Sequence, residues 1–260
     1  MVRNEADLIR YWLDWMLSQV DRVYVLENGS DDGTAEVLAE RAASAGGDLV
    51  VIDDPERGYF QAKKMTALAA RALADGFAWA VPVDCDELWY AVDGRPVADF
   101  LEGLARDCMY VEAPMHHHLP TGRDDRRERN PFRRIGWRQR EHGGMGKVAC
   151  RLRDGLQIHQ GNHSAWAPGP GLTARGGLSI RHFPWRSAEQ YKGKVRRGAE
   201  AYAATDLPET TGEHWRQWGD RPDEAIEAWF WQWGYSAHPE ADDSLIYDPV
   251  GPLLDAAGVK

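Results

Sequence analysis

The stretch Arg22-Val23-Tyr24-Val25-Leu26-Glu27-Asn28-Gly29-Ser30-Asp31-Asp32-Gly33-Thr34 decides how the chain is read. A short β-rich run ends in a dense cluster of acids, amides and glycines, and helix-forming sequence follows over 34–44. Upstream, Leu8, Ile9, Trp12 and Met16 keep helical spacing, with Asn4 as the expected N-cap and Asp7 three positions later. Downstream, 48–53 reads as a strand, 61–74 as an alanine-rich helix, and 78–83 as an apolar strand that runs straight into Asp84. This alternation predicts an α/β protein with a mixed, mostly parallel sheet flanked by helices. In such sheets ligands bind beyond the carboxyl ends of the strands. Both acidic turns, 27–32 and 84–87, fall at such ends.

The second half is less regular. Residues 109–115 read as a strand followed by His116, His117 and His118. Residues 147–152 and 156–159 suggest a hairpin around Asp154-Gly155. A short strand is expected at 180–183, a helix at 187–203 and a tryptophan-rich helix at 224–235. One domain is expected over 1–260, with a donor-binding half at 1–108 and an acceptor-binding half at 109–260.

Composition narrows the function. The 260 residues are 43% hydrophobic and 28% charged, as in a soluble globular protein. No apolar run reaches the roughly 18 residues of a membrane helix, and no secretory leader is expected. Three cysteines, Cys85, Cys108 and Cys150, argue against a disulfide framework and for a reducing cytosol. A net charge of −10 disfavours nucleic-acid binding. The arginines within 123–140 form a basic segment that either faces an anionic ligand or is simply solvated. Most of the 12 tryptophans, Trp229, Trp231 and Trp233 included, are expected in the core.

Asp84-Cys85-Asp86-Glu87 is the central chemical feature. Carboxylates at i and i+2 just past a buried strand suit a hard divalent cation, Mn²⁺ or Mg²⁺, which keeps positions open for phosphate. Such an ion would neutralise charge on a departing nucleoside diphosphate. The acids and amide of 27–34 can accept from a base or ribose. Lys147, Arg151 and Lys192 are candidate partners for the diphosphate. His159 and His163 lack a tight ligand spacing such as H-E-x-x-H, and zinc is not expected.

Taken together, Arg3-Asn4-Glu5, the turn 25–34 and Val83-Asp84-Cys85-Asp86-Glu87 resemble glycosyltransferase family 2 and its GT-A fold over roughly residues 2–90. Arg181-His182-Phe183-Pro184-Trp185-Arg186-Ser187 is similar to an H-Y-P-x-R-S stretch of some bacterial members. The resemblance implies that Asn4, Glu5, Glu27, Asn28 and Asp32 serve the nucleotide. It implies that Asp86 and Asp84 hold the metal or ribose, with His182 closing on the metal or diphosphate. The implied donor is a nucleoside-diphosphate sugar, a UDP-sugar foremost. The acceptor is a saccharide, a lipid-linked glycan or a small molecule. The cysteines and the lack of a membrane segment lead to the expectation of a cytoplasmic protein or one peripheral at the inner membrane face. The family's first strand precedes the N-E motif by several residues, so here it is either very short or left out of this chain.

Inversion at the sugar carbon needs a base on the acceptor side. Asp124 and Asp125 are preferred over Glu128, Glu141 and the three histidines. Two other readings stand beside transfer: a carbohydrate- or nucleotide-sugar-binding protein without turnover, and a phosphotransferase of the haloacid-dehalogenase type. In the latter the first aspartate is a nucleophile, but three β/α segments precede Asp84, and Leu88 stands where that motif has Thr or Val.

Overall fold

The structure is a computed structural model and describes residues 1–259. The first half contains α1 (Ile9–Gln19), β1 (Val23–Glu27), α2 (Thr34–Ser44), β2 (Leu49–Asp53), α3 (Gln61–Ala74), β3 (Trp79–Ala80), β4 (Glu87–Ala91) and α4 (Val97–Glu102). Then follow β5 (Cys108–His117), α5 (Pro131–Arg134), β6 (Trp137–Gln139), β7 (Gly143–Arg151), β8 (Gln157–Ile158), β9 (Ala165–Trp166), β10 (Leu172–Arg175) and β11 (Leu178–His182). The chain ends in α6 (Ala188–Ala203), α7 (Glu213–Gly219), α8 (Asp223–Trp233), β12 (Leu245–Tyr247) and α9 (Gly251–Ala256).

The architecture is mixed α/β, as expected. Strands β1 and β2 pair in parallel, Val23 opposite Leu49 through Glu27 opposite Asp53. The larger sheet runs β3-β7-β5-β11-β4, with β10 on the same edge of β5 as β11. Its β5–β10 and β5–β11 pairings are parallel, whereas β3–β7, β5–β7 and β4–β11 are antiparallel. The parallel share is thus smaller than the helix–strand alternation suggests. Alternation ends at β3, and Asp84 to Asp86 form a tight turn that returns as β4 with no helix between. The 147–159 hairpin does not form: β7 pairs with β5 and β3, and β8 pairs with β9.

Helix α1 packs against β4. The indole N–H groups of Trp12 and Trp15 donate to the carbonyls of Glu87 and Trp89 at 3.1 and 2.9 Å, so two large side chains are buried with their polar atoms satisfied. Asn4 is not the helix cap. It adopts φ 58°, and its side chain exchanges two hydrogen bonds with Asp31, tying the N-terminus to the acidic turn. Ser187 does cap α6, its hydroxyl accepting from the Gln190 N–H at 3.1 Å. Phe230 is core, while Trp231 and Trp233 are more than half exposed.

The two sheets share no hydrogen bond. Between β1 and the 78–83 stretch lies an apolar slot of about 280 Å³, flanked by α1 and α3.

Candidate active site

Asp84 and Asp86 sit side by side at the rim of a second pocket of about 150 Å³. Its walls come from the N-terminal strap (Met1, Val2, Arg3, Glu5), from the start of α3, and from one face of α6. On α6 the contributing residues are Lys194, Arg197, Gly198, Ala201 and Tyr202, whose i, i+3, i+4, i+7, i+8 spacing is one helical face.

Each aspartate already has a cationic partner. Lys147 Nζ lies 2.5 Å from Asp84 and 2.6 Å from Glu87, and its side chain is only 3% exposed. Gln61 donates to the other oxygen of Asp84 at 3.1 Å. Lys194 donates to Asp86, and His182 Nε2 stands 3.5 Å from the same oxygen. Burial pushes the Asp86 carboxyl up, but Lys194, His182 and Arg186 override it and hold the group well below the usual carboxylate range. Burial likewise pushes Asp84 up and Lys147 pulls it net down. For Glu87, burial wins over Lys147 and the pKa is raised. The cluster is therefore a charge-balanced pair of acids over a buried lysine, not a bare acidic turn.

Asp86, Glu87 and His182 each bring a ligand atom within 4.8 Å of the others. The two carboxylate oxygens suit Mn²⁺ or Mg²⁺, whereas the imidazole is the softer donor of the three. Behind His182, its Nδ1 meets His117 Nδ1 at 2.8 Å, and Trp185 packs edge-on against His117. Glu5 is buried against Arg186, whose guanidinium also binds Asp7. That contact joins the N-terminal strap to the segment leading into α6.

Several expected nucleotide contacts serve the fold in this arrangement. Glu27 accepts from the N–H groups of Gly29 and Ser30, at 3.1 and 2.7 Å. Asp32 accepts from the N–H and hydroxyl of Thr34 at the start of α2 and from the Ala6 N–H. Asn28 lines the pocket, but its amide is committed to Asp54 and Glu56. Lys147 lies beneath the acids and not on the pocket wall. Arg151 is not part of the site: it sits 4.4 Å over Trp79 and donates to the Cys108 carbonyl. Lys192 is tied to Glu189 and Glu227.

Asp124 and Asp125 do not line the pocket that holds Asp84 and Asp86. Asp124 accepts from the Thr121 hydroxyl at 2.7 Å and Asp125 from the Arg127 N–H at 2.9 Å, both inside their own turn. Burial raises the Asp124 pKa. Three arginines of the basic segment are tied to carboxylates near the C-terminus: Arg123 to Glu240, Arg133 to Asp255 and Arg138 to Asp248. The groups that sequence reasoning missed are Lys194, Arg197, Gln61 and the pair Tyr59–Tyr202, whose rings lie 4.8 Å apart. The helical spacing of Lys194, Arg197 and Ala201 was the available signal.

A mixed α/β sheet with paired acids at a turn on its rim, facing a pocket walled by cations and aromatics, defines a protein of the GT-A kind. The sequence model of glycosyl transferase family 2 matches residues 1–151, more than half of the chain, and the chain belongs to that family. No curated protein matches the sequence. Among the described residues no helix is long and apolar enough to cross a membrane, and the three cysteines are free and buried.

Proposed function

We propose that the protein transfers a sugar from a nucleoside-diphosphate donor to an acceptor hydroxyl, assisted by Mn²⁺ or Mg²⁺, with inversion. The observation that carries this reading is the Asp84–Asp86 pair lining one pocket together with Arg197 and with Lys194, which is ion-paired to Asp86. A diphosphate entering there would meet Arg197 and, once an ion takes its place on Asp86, Lys194. Asp86 and His182 would hold the ion, with Glu87 as the third donor within reach. The bound ion would supply charge neutralisation for the leaving diphosphate. Gln61 and Lys147 orient Asp84, leaving its exposed part for the ion or a ribose hydroxyl. Tyr59, packed on the buried Tyr202, lines the pocket beside these cations, where a nucleobase could stack.

Family membership and the three β/α segments ahead of Asp84 speak against the phosphotransferase alternative. A panel of UDP-, GDP-, CDP- and dTDP-sugars, scanned by thermal shift with and without Mn²⁺, identifies the donor, since a ligand of the native state raises apparent stability. Sugar transfer or donor hydrolysis then separates an enzyme from a mere binder. Asp86→Ala is expected to keep the fold and lose metal-dependent turnover. Full activity of that variant, or of the wild type in excess EDTA, would overturn the proposal.

A further inference from the structure

The three consecutive histidines at 116–118 go to different places. His116 turns to Arg138, His118 stacks on Phe183, and His117 meets His182. Strand alternation separates His117 from its neighbour His116, since successive side chains point to opposite faces. Parallel pairing then sets His117 directly opposite His182 on β11, so the two rings share one face of the sheet. Their Nδ1 atoms lie 2.8 Å apart and their ring centres 4.9 Å apart. Trp185 packs edge-on against His117 at 5.9 Å. Gly143 of β7 closes in as well, because a methyl group there would overlap His117 Nε2. The ring is thus held between His182, Trp185 and Gly143, with Nδ1 aimed at His182.

Two ring nitrogens at that distance share one proton: with none the lone pairs repel, and with two the hydrogens collide. Which Nδ1 carries it decides what His182 offers to Asp86. If His117 donates, a neutral His182 carries its own proton on Nε2, 3.5 Å from the Asp86 carboxylate. That arrangement closes Nε2 to a cation. If His182 donates, its Nε2 bears a free lone pair beside Asp86, and His117 keeps its proton on Nε2. Metal-bound imidazoles almost always donate their second N–H to a fixed acceptor. We infer that His117 is a positioning residue: its Nδ1 accepts from His182 Nδ1–H and so fixes His182 in the tautomer and orientation that can ligate a divalent ion next to Asp86. The inference rests on the proposed metal role of Asp86 and His182, and His117 acts only through His182. Passing from the first arrangement to the second leaves the charge unchanged. His182 Nε2 gives up a proton, the shared proton crosses from His117 to His182, and His117 Nε2 takes one up.

Mn²⁺ titrations of the metal-free protein, with no donor present, test this. Calorimetry reads the affinity, and electron spin echo modulation reads whether an imidazole nitrogen ligates the ion. His117→Leu occupies the space but accepts no hydrogen bond; it should weaken Mn²⁺ binding about 10- to 100-fold and lose the nitrogen signal. His117→Asn, whose Oδ1 can stand where Nδ1 stood, should keep the signal and most of the affinity. In a His182→Ala background, His117→Leu should change nothing further, because both substitutions remove the same ligand. Melting curves without metal read the fold of each variant separately. If His117→Leu does not fold, Gly143→Ala carries the test: it leaves every ligand in place, crowds the His117 ring and should weaken Mn²⁺ binding. Wild-type affinity in the variant that carries the test overturns the inference and leaves the metal site standing. So does an equal loss in His117→Asn, or a loss that persists undiminished in the His182→Ala background. A wild-type protein that binds no Mn²⁺ overturns the metal reading and this inference together.

Discussion

Replacing Lys147 by methionine tests the charge balance under the paired acids. The substitution keeps the length and apolar stem of the side chain but removes the ammonium between Asp84 and Glu87. Asp84, with a side chain 37% exposed, can be rehydrated; Glu87, at 1%, cannot. An unpaired buried carboxylate costs about 3–5 kcal/mol. Glu87 can escape part of that cost by taking a proton. Starting from its ordinary value of 4.5, holding it protonated at pH 7 costs about 1.4 kcal/mol for each of roughly 2.5 pH units, or at most about 3.5 kcal/mol. Lys147→Met should therefore lose about 3 kcal/mol at pH 7, a fall in Tm of roughly 6–12 °C. The sign follows from linkage. In the variant the folded state keeps a proton that the unfolded chain releases above about pH 4.5, so stability falls as pH rises and is regained toward pH 5. Urea melts of wild type, Lys147→Met and Lys147→Met/Glu87→Gln at pH 5, 6, 7 and 8 read this directly. The double variant should recover most of the loss and all of its pH dependence. A loss below about 1 kcal/mol at pH 7, a loss that ignores pH, or a failure of Glu87→Gln to rescue would refute the reasoning.

Lys194→Met should bind Mn²⁺ more tightly than wild type in the absence of donor, because Asp86 loses its competing cation, yet bind the donor more weakly; calorimetry with each ligand in turn checks both signs. Asp86→Asn should lose Mn²⁺ affinity and also lower the Tm in the absence of metal, because the depressed pKa of the buried carboxylate marks its charge as stabilising the fold. Burial lowers the pKa of His118 to about 3, so the folded protein keeps it neutral while the unfolded chain protonates below about pH 6.5. His118 alone should then remove about 1.4 kcal/mol of stability per pH unit as acidity increases from 6.5, on top of the slope from His116 and His117, whose pKa values burial lowers to about 4, and His118→Phe, which preserves the stack on Phe183, should remove that share in urea melts. Ser187→Ala removes the α6 cap and should cost about 1 kcal/mol, read as a Tm shift of roughly 2–4 °C.

How much of this was legible in the sequence depended on whether the governing interaction was local. The elements β1, α2, β2 and α3 followed from periodicity, because each packs one face and is bounded by Gly, Asp or Asn. The acid pair at 84–86 was legible by residue type just past the apolar run 78–83, although only Trp79–Ala80 of that run pairs as a strand. The 147–159 hairpin failed because the Asp154-Gly155 turn is real but its flanking strands find better partners elsewhere, β7 against β5 and β8 against β9. Strand pairing at a distance is not encoded in the turn.

The site divides along the same line. Carboxylates recognised as chemistry by residue type include several that the backbone itself consumes, Glu27 and Asp32 among them, since an acid in a glycine-rich turn is the nearest acceptor for the turn's own N–H groups. The cations that complete the site come from 108 residues away, where Lys194 looks like any lysine on a surface helix. Only its helical register with Arg197 and Ala201 distinguishes it from Lys192, two positions earlier, which points to Glu189 and Glu227 instead. A shift of two residues along α6 is about 200° around the helix axis. Register, and not residue type, therefore decides which lysine faces a diphosphate and which one merely ties α6 to α8.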